Sequence, residues 1–141
     1  MPAPSTLGPA RSFRVLVADD HRAFREMLVA VLRADGHEVV AVANGLDLLD
    51  TLAVASRSDP GTQRFDLVIS DLRMPEADGL RVLAQTAGVP GAPPFLLLTA
   101  FGSEEVHAKA TGAGALAVLD KPIDFDDLRA LVRKVLATAP A

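Results

Sequence analysis

The chain has 141 residues, of which 50% are hydrophobic and 23% are charged, and its formal net charge is -4. This length suits one domain with a sizeable core, and the composition is that of a globular protein rather than a disordered one. The acidic balance argues against binding of nucleic acid or of an anionic membrane surface. Cysteine is absent, and no apolar run is long enough for a membrane span or a signal peptide. We therefore expect a cytoplasmic protein without nucleic-acid or membrane partners.

Short apolar runs alternate with stretches of helical period, which predicts five buried strands and five helices. Structure is expected to begin near Phe13, because residues 1–12 are rich in Pro, Gly, Ala and Ser, as a disordered leader is. Residues 139–141 are expected to form a C-terminal tail. The predicted strands are 15–18, 39–42, 67–69, 95–98 and 115–119. The predicted helices cover 24–32, 46–54, 80–86, 104–111 and 125–136.

Repeated βα units predict a doubly wound parallel sheet, because right-handed crossovers place the helices on both of its faces. Ligands of such sheets bind at the carboxyl ends of the strands. Residues 56–64 and 88–94 carry Gly and Pro and are expected to be connecting loops away from that edge.

Polar side chains are predicted at the carboxyl ends of four strands. They are Asp19, Asp20, Asp71, Thr99 and Lys121. Any one of the aspartates alone is better explained as a helix cap. Capping does not explain why three carboxylates, a hydroxyl and an ammonium share one edge of the sheet.

Clustered carboxylates repel one another, so this edge calls for a hard divalent cation, and Mg²⁺ suits an all-oxygen ligand set. A carboxylate can act as the nucleophile towards a phosphoryl group and form an aspartyl phosphate. The metal, Lys121 and Thr99 would then neutralise charge on the phosphoryl oxygens. The residues therefore suggest phosphoryl transfer to an aspartate without a separate general base.

Four segments, VLVADDH, DLVISDLRMPEADGL, FLLLTAFG and GALAVLDKPI, occur in this order. Together they resemble the signature segments of receiver domains from bacterial two-component response regulators, over residues 13–137. The resemblance implies a flavodoxin-like fold with strand order 2-1-3-4-5 and a receiver domain at residues 13–138. It also implies a signalling switch, not an enzyme, that takes its phosphoryl group from a sensor histidine kinase or a phosphotransfer protein. The expected downstream partner is another protein or an output domain of the same chain.

The resemblance also implies the roles of the metal-site residues. Asp71 matches the phosphoacceptor and a metal ligand, and Asp20 matches the acid that binds Mg²⁺ directly. Asp19 matches its partner, which acts largely through water, and Arg73 supplies a backbone carbonyl. The Arg73 side chain either leans over the phosphoryl group and obstructs attacking water or remains solvated, and both readings stay open.

Other matched residues belong to the switch. Thr99 matches the hydroxyl that moves towards the phosphoryl group, and Lys121 matches the lysine that pairs with phosphoaspartate. The bond between Lys121 and Pro122 is expected to be cis, as in the family. In the family, the face of the fourth helix, fifth strand and fifth helix carries partner binding or homodimerisation. Many family members have on the fifth strand an aromatic residue that turns inward when the switch hydroxyl moves, and Val118 stands at that position here. Phe101 is the nearest aromatic residue that could take over this role, unless it merely covers the site.

Two other classes of protein share part of this pattern. A haloacid-dehalogenase-like phosphatase also uses a strand-end aspartate and Mg²⁺, but it needs an acid at the position that Arg73 occupies. A pseudo-receiver usually lacks the acids or the lysine, which are present here. The three histidines carry no assigned function, and His21 is expected to be solvated rather than part of the site rim. The sequence leaves open whether the chain is a single-domain regulator or a receiver cut from a longer protein.

Overall fold

The computed structural model describes residues 13–57, 64–74, 78–100 and 102–138. The leader and tail expected at 1–12 and 139–141 therefore lie outside the described residues. Strands and helices alternate as the sequence predicts. The strands are β1 (Arg14–Ala18), β2 (Glu38–Val42), β3 (Leu67–Asp71), β4 (Phe95–Thr99) and β5 (Ala117–Asp120). The helices are α1 (Arg22–Ala34), α2 (Gly45–Arg57), α3 (Gly79–Thr86), α4 (Glu104–Gly112) and α5 (Phe125–Ala137).

All strand pairs are parallel, and their order is β2-β1-β3-β4-β5. The predicted flavodoxin-like topology is thus confirmed. The chain reverses its direction of progress across the sheet between β1 and β3, which creates a crevice at the carboxyl ends of these two strands. In register, Ala18 of β1 pairs with Ser70 of β3, and Asp71 pairs with Leu98 of β4. The residues that follow these positions therefore meet at one edge.

Two apolar cores cover the two faces of the sheet, because successive strand side chains point in opposite directions. One face packs against α2, α3 and α4, with Leu48, Val82 and Ala110 buried at the contact. The other face packs against α1 and α5 through Leu28 and Val132. Every residue of β3 and β4 is buried, as expected for central strands between two helical layers. Among the described residues, no helix is long and apolar enough to cross a membrane.

Several predicted boundaries differ from the structure by one to three residues. Strand β5 begins at Ala117, two residues later than predicted, because Ala115 still closes the end of α4. The Ala115 amide donates to the carbonyl of Ala110 over 3.0 Å, and Gly114 supplies the positive φ of 110° that this turn needs. Helix α2 continues to Arg57, so the loop expected from residue 56 begins later.

Candidate functional site

The predicted acids lie together at the carboxyl edge of the sheet. Asp19 follows β1 and Asp71 ends β3, and their exposed fractions are only 0% and 6%. Asp20 and His21 stand beside them, so that one potential ligand atom from each of the four residues lies within 4.8 Å of the others. The register of β1 and β3 therefore assembles the carboxylates that the sequence places at separate strand ends.

Lys121 closes this cluster from the β5 side. Its Nζ donates to Oδ2 of Asp19 over 3.0 Å and to Oδ2 of Asp71 over 3.3 Å. The lysine side chain is only 16% exposed, so both ion pairs are largely shielded from water. The peptide bond between Lys121 and Pro122 is cis, as predicted.

Burial and neighbouring charges shift the pKa values of this pair. Burial raises the pKa of the Asp71 carboxyl, and the Asp19 charge adds to this effect against the opposing influence of Lys121. Burial by itself would lower the pKa of the Lys121 ammonium, but its bonds to Asp19 and Asp71 outweigh that effect and raise the pKa. The lysine therefore stays charged at neutral pH, while the carboxylates would gain from a further cation.

Hydrogen bonds and a close contact with α3 hold the backbone around Asp71. The amide of Arg73 donates to Oδ1 of Asp71 over 3.4 Å, and the Ser70 hydroxyl donates to the Asp71 carbonyl over 2.9 Å. Gly79, the first residue of α3, lies directly against that same carbonyl, where a Cβ would collide. The first turn of α3 therefore packs directly on the main chain of the candidate phosphoacceptor. The Arg73 side chain is exposed.

Thr99 ends β4 next to Asp71 and is 2% exposed. It pairs in register with Asp120, and its carbonyl accepts a bond from the Lys121 amide over 2.7 Å. Val118 is partly buried against the core on the side of α4. Phe101, the expected aromatic substitute, lies outside the described residues. Thr99 and Lys121, the two residues expected to take part in switching, thus link the ends of β4 and β5.

Sequence reasoning missed an aromatic contact at this site. Nζ of Lys121 lies 4.5 Å from the centroid of the Phe24 ring on α1. Phe24 in turn stacks on Phe125 of α5, with 5.8 Å between centroids and 28° between ring planes. The spacing of Phe24 and Leu28 identifies a buried helix face, but it carries no information about the lysine.

The three histidines differ in their exposure and in their contacts. His21 is mostly exposed, yet its Nδ1 lies 3.4 Å from oxygens of both Asp19 and Asp20, so it reaches the rim of the site. His107 of α4 pairs with Asp120 over 2.9 Å, a contact that no sequence spacing indicated. Both ring nitrogens of His37 are buried without a hydrogen-bond partner in the part of the chain that the structure describes.

A doubly wound sheet with clustered acids and a lysine at its carboxyl edge is the arrangement of a receiver domain. The family model described as "Response regulator receiver domain" matches residues 15–133. The chain belongs to this family, whose members are signalling switches of two-component systems.

Relatives agree with this assignment. The chain is 37% identical over 123 residues to the transcriptional regulatory protein ZraR of Escherichia coli, covering 87% of the chain but 26% of that protein. It is 41% identical over 129 residues to protein-glutamate methylesterase/protein-glutamine glutaminase 2 of Anaeromyxobacter dehalogenans, covering 88% of the chain and 34% of that protein. The chain thus spans about a quarter to a third of these relatives.

Solved structures show the same fold. The signal receiver domain of the response regulator NarL from Mycobacterium tuberculosis has a TM-score of 0.79 and 26% identity, covering 92% of this chain and 99% of that one. The Francisella response regulator 1452 receiver domain has a TM-score of 0.79 and 23% identity, covering 89% of this chain and 98% of that one. The family match supports the predicted receiver domain over the phosphatase alternative.

Proposed function

We propose that Asp71 accepts a phosphoryl group from a histidine of a sensor kinase or phosphotransfer protein in the presence of Mg²⁺. The observation that carries this proposal is a buried strand-end carboxylate, 3.3 Å from the Lys121 ammonium, with two more aspartates within metal-binding range. This combination provides a nucleophile, a fixed positive charge and a set of oxygen ligands in one small volume.

In the proposed reaction, a carboxylate oxygen of Asp71 forms a bond to phosphorus, and the bond from phosphorus to the donor nitrogen breaks. The electron pair of the broken bond stays on the donor imidazole, which can take up a proton. Lys121 lies where its ammonium can pair with a phosphoryl oxygen without leaving the site. The Lys121 ammonium beside Asp71 favours the carboxylate form, and a carboxylate needs no residue to remove a proton before it attacks phosphorus.

The donor set fits Mg²⁺. The carboxylates of Asp19, Asp20 and Asp71 offer hard oxygen ligands, and in this proposal the carbonyl of Arg73 completes the set. One lysine only partly compensates three carboxylates, so the site favours a further cation. When bound, Mg²⁺ would neutralise charge on the phosphoryl oxygens.

The proposed output runs from Thr99 to the face of α4, β5 and α5, which would contact a downstream protein, an output domain or a second copy of the chain. The bond between Thr99 and Lys121, together with the pairing of Thr99 and Asp120, links the reacting edge to β5. Val118 has few χ1 states and no ring, so an aromatic rotamer on β5 does not carry the signal.

The test is labelling with a radioactive small phosphodonor and Mg²⁺. Wild-type protein should acquire one acid-stable, base-labile phosphoryl group, and Asp71→Asn should remove it. Asp50→Asn, on an exposed position of α2, is the matched control and should label normally. Equal labelling of Asp71→Asn and wild type would contradict the proposal, and multiple turnovers on phosphomonoesters would favour a phosphatase instead.

A further inference from the structure

We propose that Phe24 is a positioning residue, which holds the Lys121 ammonium beside Asp71 through a cation–π contact. The inference rests on the proposed function, because it assigns Phe24 a part in phosphoryl transfer to Asp71. Phe24 does not itself touch the reacting atoms, and its effect passes through the lysine.

The geometry around the ammonium leads to this inference. An ammonium has three N–H donors, and two carboxylates, Asp19 and Asp71, accept from Lys121. The Phe24 centroid lies 4.5 Å from Nζ, within the distance of roughly 6 Å at which a ring face attracts a cation. Because the lysine side chain is mostly buried, water competes weakly with the ring, and such contacts are stronger when the cation is desolvated.

The ring is itself held in place by two helices. Phe24 on α1 stacks on Phe125 at the start of α5, and both rings pack against the core of that face. At the C-terminal end of α1, Asp35 accepts from Arg129, which lies one turn into α5, over 2.7 and 2.9 Å to its two carboxylate oxygens. A bidentate pair and a ring stack fix the helices relative to each other, so the position of the ring is set before any ligand arrives.

A lysine has a long flexible stem, and its ammonium loses direction when it is not held. The Phe24 ring restricts Lys121 without adding a negative charge. A third carboxylate at that place would bind the lysine more tightly and would compete with the incoming phosphoryl oxygens. A neutral ring instead keeps the ammonium near Asp71 and leaves its charge available for the phosphoryl group.

The kinetic test compares ring-free and ring-retaining variants. Phe24→Leu should lower the rate constant for phosphorylation by a small phosphodonor by roughly three- to thirtyfold, the range expected for a partly desolvated cation–π contact. Phe24→Tyr keeps the ring, and its rate constant for phosphorylation should stay near that of wild type. Phe125→Leu removes the stacking partner but leaves the ring beside the lysine, with the Arg129–Asp35 pair still holding the two helices, so it should lower the melting temperature and slow phosphorylation less than Phe24→Leu does.

A spectroscopic readout tests the contact without phosphorylation. The ring current of Phe24 should move the ε-methylene proton signals of Lys121 upfield of those of the exposed Lys134 in wild type. Phe24→Tyr should keep this shift and Phe24→Leu should lose it. If Phe24→Leu fails to fold, the upfield shift of the Lys121 signals in wild type and the phosphorylation rate of Phe24→Tyr still test the inference.

Three results would overturn the inference: no upfield shift of Lys121 in wild type, a slow Phe24→Tyr variant, or equal slowing by Phe24→Leu and Phe125→Leu. Failure of the proposed function looks different. In that case wild-type protein would take up no phosphoryl group on Asp71, whatever the lysine signals show.

Discussion

Replacement of Gly79 by alanine should destabilise the domain through a clash with the strand that carries Asp71. The added Cβ would stand 2.7 Å from the Ser70 hydroxyl oxygen and in direct collision with the Asp71 carbonyl oxygen. A backbone carbonyl in a central strand cannot rotate away. The helix α3 must therefore shift outward, and it carries the buried Val82 and Leu83 with it.

Overpacking of this kind costs about 1–3 kcal/mol. Gly79 has no positive φ in the structure, so the cost comes from the collision and not from backbone strain. Gly112, at the end of α4, is the matched control because nothing lies within 4 Å of its Cβ position. Gly112→Ala should leave stability unchanged or raise it by up to about 1 kcal/mol.

The assay is urea unfolding of both variants and of the double variant Ser70→Ala/Gly79→Ala. Ser70→Ala removes one of the two colliding atoms and should recover part of the loss, while the collision with the Asp71 carbonyl remains. If Gly79→Ala is as stable as Gly112→Ala, the first turn of α3 does not pack on the strand that carries Asp71.

Two further predictions concern the metal and pH. Asp20→Asn should weaken Mg²⁺ binding by at least roughly tenfold in calorimetric titration, because a charged ligand is lost; unchanged affinity would remove Asp20 from the ligand set. Burial lowers the pKa of His37, and the nearby Asp35 charge only partly opposes this. The unfolded chain therefore binds this proton first, so stability should fall as pH drops below the unfolded pKa of about 6.5. His37→Phe should flatten the stability profile between about pH 7 and 5, and an equally steep decline would contradict that origin.

The doubly wound parallel sheet could be predicted because hydrophobic periodicity and the handedness of βα crossovers both act over short stretches of chain, whereas the strand order followed from the resemblance to receiver domains. The exact bounds of the strands and helices were less predictable where an apolar residue belongs to the end of a helix and not to the strand that follows. Ala115 is apolar and precedes β5, yet its amide completes the last turn of α4. An apolar run does not distinguish these two uses.

The acids and lysine at the edge of the sheet could be predicted because each lies at the end of a strand or just after it. Contacts between a helix side chain and residues at the end of a strand could not. Phe24 reaches Lys121 only because α1 packs beside α5, and His107 meets Asp120 only because α4 crosses the end of β5. These contacts depend on the crossing of packed elements, which residue spacing within one element does not encode.

The most direct test of the central claim is chemical mapping of the phosphorylated residue. Protein treated with a small phosphodonor and Mg²⁺ would be reduced with borohydride, which converts an aspartyl phosphate to homoserine, and then digested for mass spectrometry. We predict homoserine at position 71 alone, dependent on the phosphodonor. Homoserine at Asp19 or Asp20 instead, or at none of the three, would contradict the assignment of Asp71 as the phosphoacceptor.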